Sequence, residues 1–356
     1  MKTPGFPRPP VSAVLRLAGG ALALVLAACS TGATTAPTSG PTDAATPEAT
    51  PAESPALAYP TKDLSIMAPA GAGGGWDTTA RSIQAAIEAE GLTEHSVEVY
   101  NVEGAGGTIG LAQLVEQDKG DPESLMVMGL VMVGAIRTNE APVDLTSVTP
   151  IARLTGEFEA IAVKADSPFQ TLDELIDAFK ADPRSISWGG GSAGGTDHIL
   201  VGLIAKAAGV DPSGINYIAH SGGGEALDAI LSGAVSAGVS GASEFADQVA
   251  AGQMRLLAIS ADAPVEGIDA PTITDSGLDV VLANWRGIVG PPDLTAEQTA
   301  AVVEFMNRLH DSDAWAAALD EHKWTDLYMA GDEFATYLAE QQTTVEGVLR
   351  DIGLIQ

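Results

Sequence analysis

Clusters of glycine stand directly after short apolar segments, and this arrangement constrains the fold more than any other feature of the chain. Residues 68–81 read APAGAGGGWDTTAR, with a strand candidate before the glycines and a helix candidate after them. Glycine lets a guest approach the backbone closely and adopts positive φ angles at little cost. The same order of strand, loop and helix recurs at EGAGGTIG (103–110), GGGSAGGTDH (189–198), AHSGGGEA (219–226) and SGASEF (240–245). This repetition predicts an α/β fold.

The apolar segments between the loops complete the predicted sheet. Strands are expected at 64–68, 97–102, 125–129, 151–154, 160–163, 185–188, 215–218, 237–239, 256–259 and 285–289. Helices are expected to begin at Thr171 and at Thr295, each followed three positions later by Glu or Gln, and at Gly331. Long helices after the second set of strands indicate that the chain returns to its first lobe.

The loops are placed to bind an anion. An open α/β sheet binds ligands beyond the carboxyl ends of its strands, where helix N-termini point unpaired N–H groups at the crevice. The positive end of each helix dipole attracts negative charge, and glycine exposes the N–H groups to the guest. We therefore expect several of these loops to surround one anion site.

Residues 1–28 resemble a bacterial lipoprotein signal peptide. A basic start precedes an apolar stretch at 17–26, and the sequence LAAC ends at Cys29. Cleavage before Cys29 would make the only cysteine of the chain a lipid-bearing first residue. Residues 29–58 are rich in Thr, Pro, Ala, Ser and Gly and are expected to form a disordered tether. The protein is therefore predicted to be exported and anchored by lipid to the outer face of the cytoplasmic membrane.

Composition excludes several classes of function. The formal charge is −30, and it becomes −33 without the three basic residues of the leader, so nucleic acid is not expected as a partner. A single cysteine excludes disulfides and cysteine-ligated zinc. The five histidines form no His-Glu-x-x-His motif, so no metal and no other cofactor is expected.

Two catalytic interpretations compete with binding. A phosphate-binding P-loop needs Gly-Lys followed by Ser or Thr, and none of the glycine clusters continues into Lys. Gly190-Gly191-Ser192-Ala193-Gly194 matches the Gly-x-Ser-x-Gly nucleophile elbow, so a serine hydrolase using Ser192 is the alternative function. Asp197 and His198 are adjacent in one helical turn, and their side chains would point about 100° apart, which does not suit a relay with the serine.

Five motifs, in order along the chain, resemble those of the solute receptors of tripartite tricarboxylate transporters, often called the Bug family. They are YPTKDLSIMAPAGAGGGWDTTAR (59–81), GAGGTIG (104–110), GSAGGTDHIL (191–200), GGGEALDAILSGAV (222–235) and NWRGIVGPPDLT (284–295). Each motif alone is short. Their shared order extends over the whole mature chain.

The resemblance implies a two-lobed α/β fold of the type II periplasmic-binding class, with mixed sheets flanked by helices and a ligand cleft between the lobes. Lobe 1 would comprise residues 59–160 plus 284–356, and lobe 2 residues 161–283. It also implies a receptor without enzymatic activity that delivers a small organic carboxylate to a permease of one large and one small integral membrane subunit. We expect a monomer.

The resemblance further implies which residues bind the ligand. The first glycine loop would contribute Gly73, Gly74, Gly75, Trp76 and Asp77. The opposite lobe would contribute Ser192, Gly195, Thr196 and His198, and further residues would be Gly106, Gly107, Thr108, Ser221, Gly222, Ser240 and Ser243. Asp77 also fits as a residue that braces its helix start, and Trp285 and Arg286 are expected to stabilise the crossover between the lobes.

The chain departs from the family pattern at two places. His220-Ser221-Gly222 stands where many relatives have Tyr-Lys-Gly, so an expected cation is missing. The apolar segment GLVMVG (129–134) stands where relatives often place Ser or Thr. Both departures favour a smaller or partly apolar acid over a tricarboxylate. The motifs do not separate a transport receptor from one that presents its ligand to a sensor kinase.

Overall fold

A computed structural model describes residues 58–220 and 223–356. The predictions for the leader, Cys29, the tether up to residue 57, Ser221 and Gly222 lie outside these residues. The described strands are β1 Leu64–Ala68, β2 Val97–Asn101, β3 Ser124–Gly129, β4 Thr149–Lys164, β5 Ser187–Gly190, β6 Asn216–Ala219, β7 Ala237–Gly241, β8 Met254–Ile259, β9 Ala283–Gly290 and β10 Thr325–Ala330.

Helices follow most of these strands. They are α1 Gly75–Glu90, α2 Thr108–Gln117, α3 Leu130–Thr138, α4 Leu172–Ala181, α5 Thr196–Ala208, α6 Gly223–Ser232, α7 Ala242–Ala250, α8 Ala296–His310, α9 Asp313–His322 and α10 Gly331–Asp351. Within the described part of the chain, none of them has both the length and the apolar character needed to cross a bilayer.

The strands form a mixed sheet in the order β2-β1-β3-β9-β4-β7-β5-β6, and β10 and β8 also pair with β4. Strand β1 is parallel to β2 and β3, and β5 is parallel to β6 and β7. The long strand β4 pairs antiparallel with β9 in its first part and with β7 and β8 in its last part. Because β4 runs from one set of parallel strands to the other, it joins two halves of the sheet.

This arrangement confirms the predicted fold class: two α/β halves joined by long crossover strands, as in type II periplasmic-binding proteins. The exact lobe boundaries stay a prediction. One local prediction was wrong: 151–154 and 160–163 are not separate strands, because the pairing of β4 with β9 continues through Gly156, Glu157 and Phe158. Strand β10 and helix α9 lie in segments for which the sequence analysis named no element.

Local sequence signals fix the positions of the helices. The predicted apolar face of α1, Ala80, Ile83 and Ile87, is buried in one cluster with residues of β1. Burial of a large apolar side chain contributes about 1.5–3 kcal/mol, so this contact holds α1 against β1 and positions the glycine loop between them. Thr295 caps α8: its Oγ1 accepts from the N–H of Gln298, and Gln298 accepts from the N–H of Thr295, as the sequence predicts.

Candidate ligand-binding site

The first glycine loop presents unpaired amides at the start of α1. Gly73 has a φ of +81°, a left-handed conformation that favours glycine. Gly74 precedes the helix without a side-chain cap, and the first N–H that bonds back into the helix is that of Thr78, 2.9 Å from Gly74 O. The N–H groups of Gly75, Trp76 and Asp77 therefore lack intrahelical partners, as expected for a first turn.

Asp77 braces this loop. Its buried carboxylate accepts hydrogen bonds from the N–H of Gly73 (2.7 Å), from Nε of Arg81 (3.0 and 3.1 Å) and from Nδ2 of Asn101 (2.9 Å). The bond from Arg81, more than any other contact, lowers the pKa of Asp77 to about 2. Its proposed contact with a ligand stays a prediction, but these partners already occupy its oxygens.

Gly75 and Trp76, the first two residues of α1, lie against Arg286 and against the 106–108 loop. A Cβ atom at residue 75 would lie 3.0 Å from Nη2 of Arg286, so glycine lets the helix start lie directly against this guanidinium. The Trp76 ring would lie 2.7 Å from a Cβ atom at residue 107, where Gly107 has a φ of +89°. The loop carrying Gly106, Gly107 and Thr108 therefore packs behind Trp76, and the Oγ1 of Thr108 bonds within that loop to Ala105 O.

The second glycine loop is closed by the helix that follows it. The N–H of Gly191 donates to Oδ2 of Asp197 (2.6 Å), and the N–H of Gly195 donates to the carbonyl of Ser192 (3.0 Å). The first residue that bonds back into α5 is Ile199, which leaves the amide of Thr196 without an intrahelical partner. The Oγ1 of Thr196 is buried and has no hydrogen-bond partner within the described residues.

His198 supports this loop from behind. Its ring stacks on Tyr217 with centroids 4.0 Å apart, and its Nδ1 accepts from the N–H of Gly194 at 3.2 Å. Burial lowers the pKa of His198 to about 4, so the ring is neutral near pH 7. Since this nitrogen faces Gly194, it does not activate Ser192, and Ser192 does not have the positive φ of a strained turn. The serine hydrolase alternative therefore has no support.

A small cavity of about 170 Å³ lies where the loops after β5 and β7 meet the crossover strands β4 and β9. Four predicted residues line it: Ser192, Gly195, Thr196 and Ser240. The other lining residues are Val131, Glu157, Glu159, Gly191, Asp197, Gly241, Glu244, Asn284 and Arg286. A larger groove of about 950 Å³ lies near Tyr59 and Arg308, but none of the predicted binding residues lines it.

The predicted residues outside this cavity have other surroundings. No residue of the 73–77 loop lines this cavity: Gly75 lies against Arg286, whereas Gly73 and Asp77 line a separate groove of about 580 Å³ between α1 and α9. The 106–108 loop lies behind Trp76. Ser243 is exposed and donates to Oε2 of Glu157 (3.1 Å). The assignments of all these residues as ligand contacts stay predictions.

Four carboxyl groups line the cavity, and none of them is among the ligand-binding residues predicted from the sequence. Glu157 pairs with Nη2 of Arg286 at 2.6 Å, and Glu244 accepts from the Oγ of Ser240 at 2.8 Å. Burial raises the pKa of Asp197 to about 6 and that of Glu159 well above its usual range. Glu157 and Glu159, the only acids in β4, stand at alternate positions and were the available signal, since alternate residues share one face of a strand.

The family model of the tripartite tricarboxylate transporter family receptor, TctC, matches residues 80–354. The chain belongs to this family. The resemblance inferred from the five motifs is thereby confirmed. TctC relatives include Protein BugT of Bordetella pertussis, 25% identical over 83% of this chain and 90% of BugT. Another is the UPF0065 protein in the gbd 5′ region of Cupriavidus necator, 25% identical over 83% of this chain and 89% of that protein.

Solved structures of TctC-type receptors share the fold. A ligand-free TctC solute-binding protein from Polaromonas superposes with a TM-score of 0.71 at 23% identity, covering 82% of this chain and 99% of that one. MatC of Rhodopseudomonas palustris with bound malate gives 0.62 at 19%, covering 83% and 100%. R. palustris Rpa4515 with adipate gives 0.65 at 20%, covering 83% and 99%. At these identities the likeness to this TctC receptor is one of fold.

Proposed function

We propose that this TctC receptor captures a small organic carboxylate in the 170 Å³ cavity and delivers it to the large and small membrane subunits of a tripartite transporter. One observation carries the proposal: the glycine-rich start of α5 and the Arg286 guanidinium line the same polar cavity. Gly195 and Thr196 line it at the start of α5, and Gly75 at the start of α1 lies against Arg286, which lines it. Bound malate and adipate in two proteins of the same fold support a carboxylate guest.

Local donors favour an anion despite the charge of −30. At physiological salt the Debye length is about 8 Å, so distant carboxylates are largely screened, whereas an amide at hydrogen-bond distance is not. Each hydrogen bond to a charged group contributes roughly 1.5–3 kcal/mol, and a few of them support micromolar affinity after ordering costs. The volume corresponds to about six waters, and Val131 is apolar, so we expect a compact or partly apolar acid.

Thr196 provides the sharpest test. Its buried Oγ1 has no partner within the described residues, so a Thr196→Val variant of nearly the same shape should keep its Tm. The variant should bind the best of succinate, malate, adipate and citrate roughly tenfold more weakly by calorimetry, since one hydrogen bond to a carboxylate is lost. Thr336→Val, at an exposed position on α10, is the control that should leave affinity unchanged. Equal affinity of Thr196→Val and wild type for the best acid would refute the binding role of Thr196.

The protein is also proposed to have no catalytic role, in line with its binding-protein family and neighbours. The purified receptor should not hydrolyse p-nitrophenyl acetate above the buffer rate. Turnover that disappears in Ser192→Ala would instead favour the hydrolase.

We further propose export, lipid attachment at Cys29 and a monomeric receptor. In a bacterial host, wild type should fractionate with the membrane and Cys29→Ser should not, while Ser30→Ala should behave as wild type. Light scattering should give the mass of one chain. Uptake of the bound acid should require both permease subunits; uptake that persists without them would refute the transport role.

A further inference from the structure

The carboxyl groups that line the candidate cavity outnumber the cations that line it. Arg286 is the one cation among its described lining residues, and its Nη2 already lies 2.6 Å from Glu157. Asp197 and Glu244 each receive a hydrogen bond from a neutral donor, the N–H of Gly191 and the Oγ of Ser240. Neutral donors leave the charges in place. A purely anionic guest would therefore lie among uncompensated acids.

Among these carboxyl groups, Glu159 shows most clearly that a positive partner is missing. Its side chain is 1% exposed, it lines the cavity, and neither carboxyl oxygen receives a hydrogen bond from any described residue. The charged groups that act on it, Asp197, Glu157 and Glu244, are also acids, so none of them compensates its charge. A buried carboxylate without a partner is costly. An unpartnered buried acid facing a cavity points to a guest that supplies positive charge or N–H donors.

The Oγ1 of Thr196 is a second, independent sign of a missing polar guest. Thr196 is 4% exposed and lines the same cavity, and its Oγ1 has no hydrogen-bond partner among the described residues. Among the described residues, no group of three or more His, Cys, Asp or Glu is arranged to hold a metal ion. The positive group is therefore better supplied by an organic nitrogen. An ammonium offers three N–H donors, which suits three carboxyl groups around it.

We propose that the natural ligand is a compact zwitterion whose protonated amine lies among Glu159, Asp197 and Glu244. This inference rests on the proposed carboxylate function, because the other end of the ligand is the carboxylate bound near Gly195, Thr196 and Arg286. The two ends then face groups of opposite character within one small cavity. Amino acids and related amino carboxylates are the ligand class.

Matched pairs of acids that differ by one amine test the proposal. We would titrate the mature receptor by calorimetry with succinate and aspartate, glutarate and glutamate, adipate and 2-aminoadipate, propionate and alanine, and 4-methylpentanoate and leucine. For the best-binding pair, the amine-bearing member should bind at least about tenfold more tightly, the effect of one charge-assisted hydrogen bond. Equal or tighter binding of the amine-free member would overturn the inference and leave the carboxylate function standing. Failure of every acid to bind would refute the carboxylate function itself.

Substitutions of the cavity carboxyl residues test whether these residues cause the preference for amine-bearing ligands. Glu159→Gln keeps the shape and removes the charge, so it should reduce the amine preference to less than about threefold. Glu98→Gln, at an exposed position on β2 outside the cavity, is the matched control and should keep the full preference. If Glu159→Gln fails to fold, the exposed Glu244→Gln provides the same test. A preference that survives both cavity variants would refute the assignment.

Proton release on ligand binding distinguishes a contact between Glu159 and the ligand from a purely structural role of Glu159. Burial raises the pKa of Glu159 well above its usual range, and the groups facing it are the acids Asp197, Glu157 and Glu244. An incoming ammonium favours the ionised carboxylate, so binding should release up to about one proton near neutral pH. Calorimetry in buffers of different ionisation enthalpy should detect release with the amine-bearing acid in wild type and none in Glu159→Gln. Proton uptake with the amine-free acid as the tighter ligand would overturn the proposal.

Discussion

Replacement of Asp77 by Asn tests whether this residue holds the first glycine loop in place. The carboxylate accepts from Gly73, Arg81 and Asn101 at distances of 2.7–3.1 Å. Asparagine keeps one acceptor but turns an NH₂ group toward donors, so at least one buried N–H loses its partner. Such a loss costs about 1–3 kcal/mol.

The pKa of Asp77 shows how much the ionised form of this side chain contributes to stability. A fall from 3.8 to about 2 corresponds to at most about 2.4 kcal/mol, at about 1.36 kcal/mol per pH unit. The Arg81 side chain is 50% exposed, so solvent screening reduces this figure. We expect Asp77→Asn to lower the free energy of unfolding by about 1–2 kcal/mol and Tm by about 2–6 °C.

Urea denaturation at neutral pH, followed by circular dichroism, measures this difference. Because the folded pKa lies below the unfolded value, the stabilisation is fully present above about pH 4 and is lost as pH falls toward about 2. The difference between wild type and variant should therefore be the same at pH 7 and pH 5. Asp173→Asn, an exposed acid in the first turn of α4, is the control and should change stability by less than about 0.5 kcal/mol. Equal stability of Asp77→Asn and wild type would refute the bracing role.

Three further outcomes are expected. Gly107→Ala places a Cβ 2.7 Å from two neighbouring side chains at a φ of +89° and should lower the free energy of unfolding by about 2–4 kcal/mol. The control Gly233→Ala, at a φ of +75° with open space around it, should lower it by only about 1 kcal/mol. Similar losses in thermal melts of the two variants would contradict the packing argument. Thr295→Ala removes the α8 cap and should cost about 1 kcal/mol in urea denaturation, and no change would show that the cap contributes nothing. His198→Phe keeps the stack on Tyr217 but does not titrate. The folded pKa of His198, about 4, lies below the unfolded value of 6.5, so the stabilisation from the neutral ring is complete above pH 6.5 and is lost toward pH 4. A difference in unfolding free energy between wild type and variant that stays constant across that range would disprove the buried neutral ring.

Local patterns in the sequence were sufficient to predict much of the fold. The segment 64–90 shows why: an apolar strand, a glycine loop and a helix with one apolar face lie within reach of one another along the chain. Capping by Thr295 and Gln298 is likewise a contact between residues three positions apart. By contrast, β10 is partly exposed and depends on pairing with β4, more than 150 residues earlier, so its own composition gave little signal.

The residues at helix starts could be named from the sequence, but their surroundings could not. The 106–108 loop has the same glycine-rich character as the 191–196 loop, yet it packs behind Trp76 while the other lines the cavity. Which loops face the cavity depends on how two halves of a sheet are joined, and no short segment encodes that.

By itself, the sequence determined the strand, glycine loop and helix units, the helix caps and the receptor family, because each depends on neighbouring residues or on motif order. The tertiary structure alone decided the charge of the cavity. Glu157 meets Arg286 from 129 positions away, and Glu159 meets Asp197 on another element, because β4 lies between β9 and β7 in the sheet. Burial in that position raises the pKa of Glu159, and burial is a property of the assembled fold.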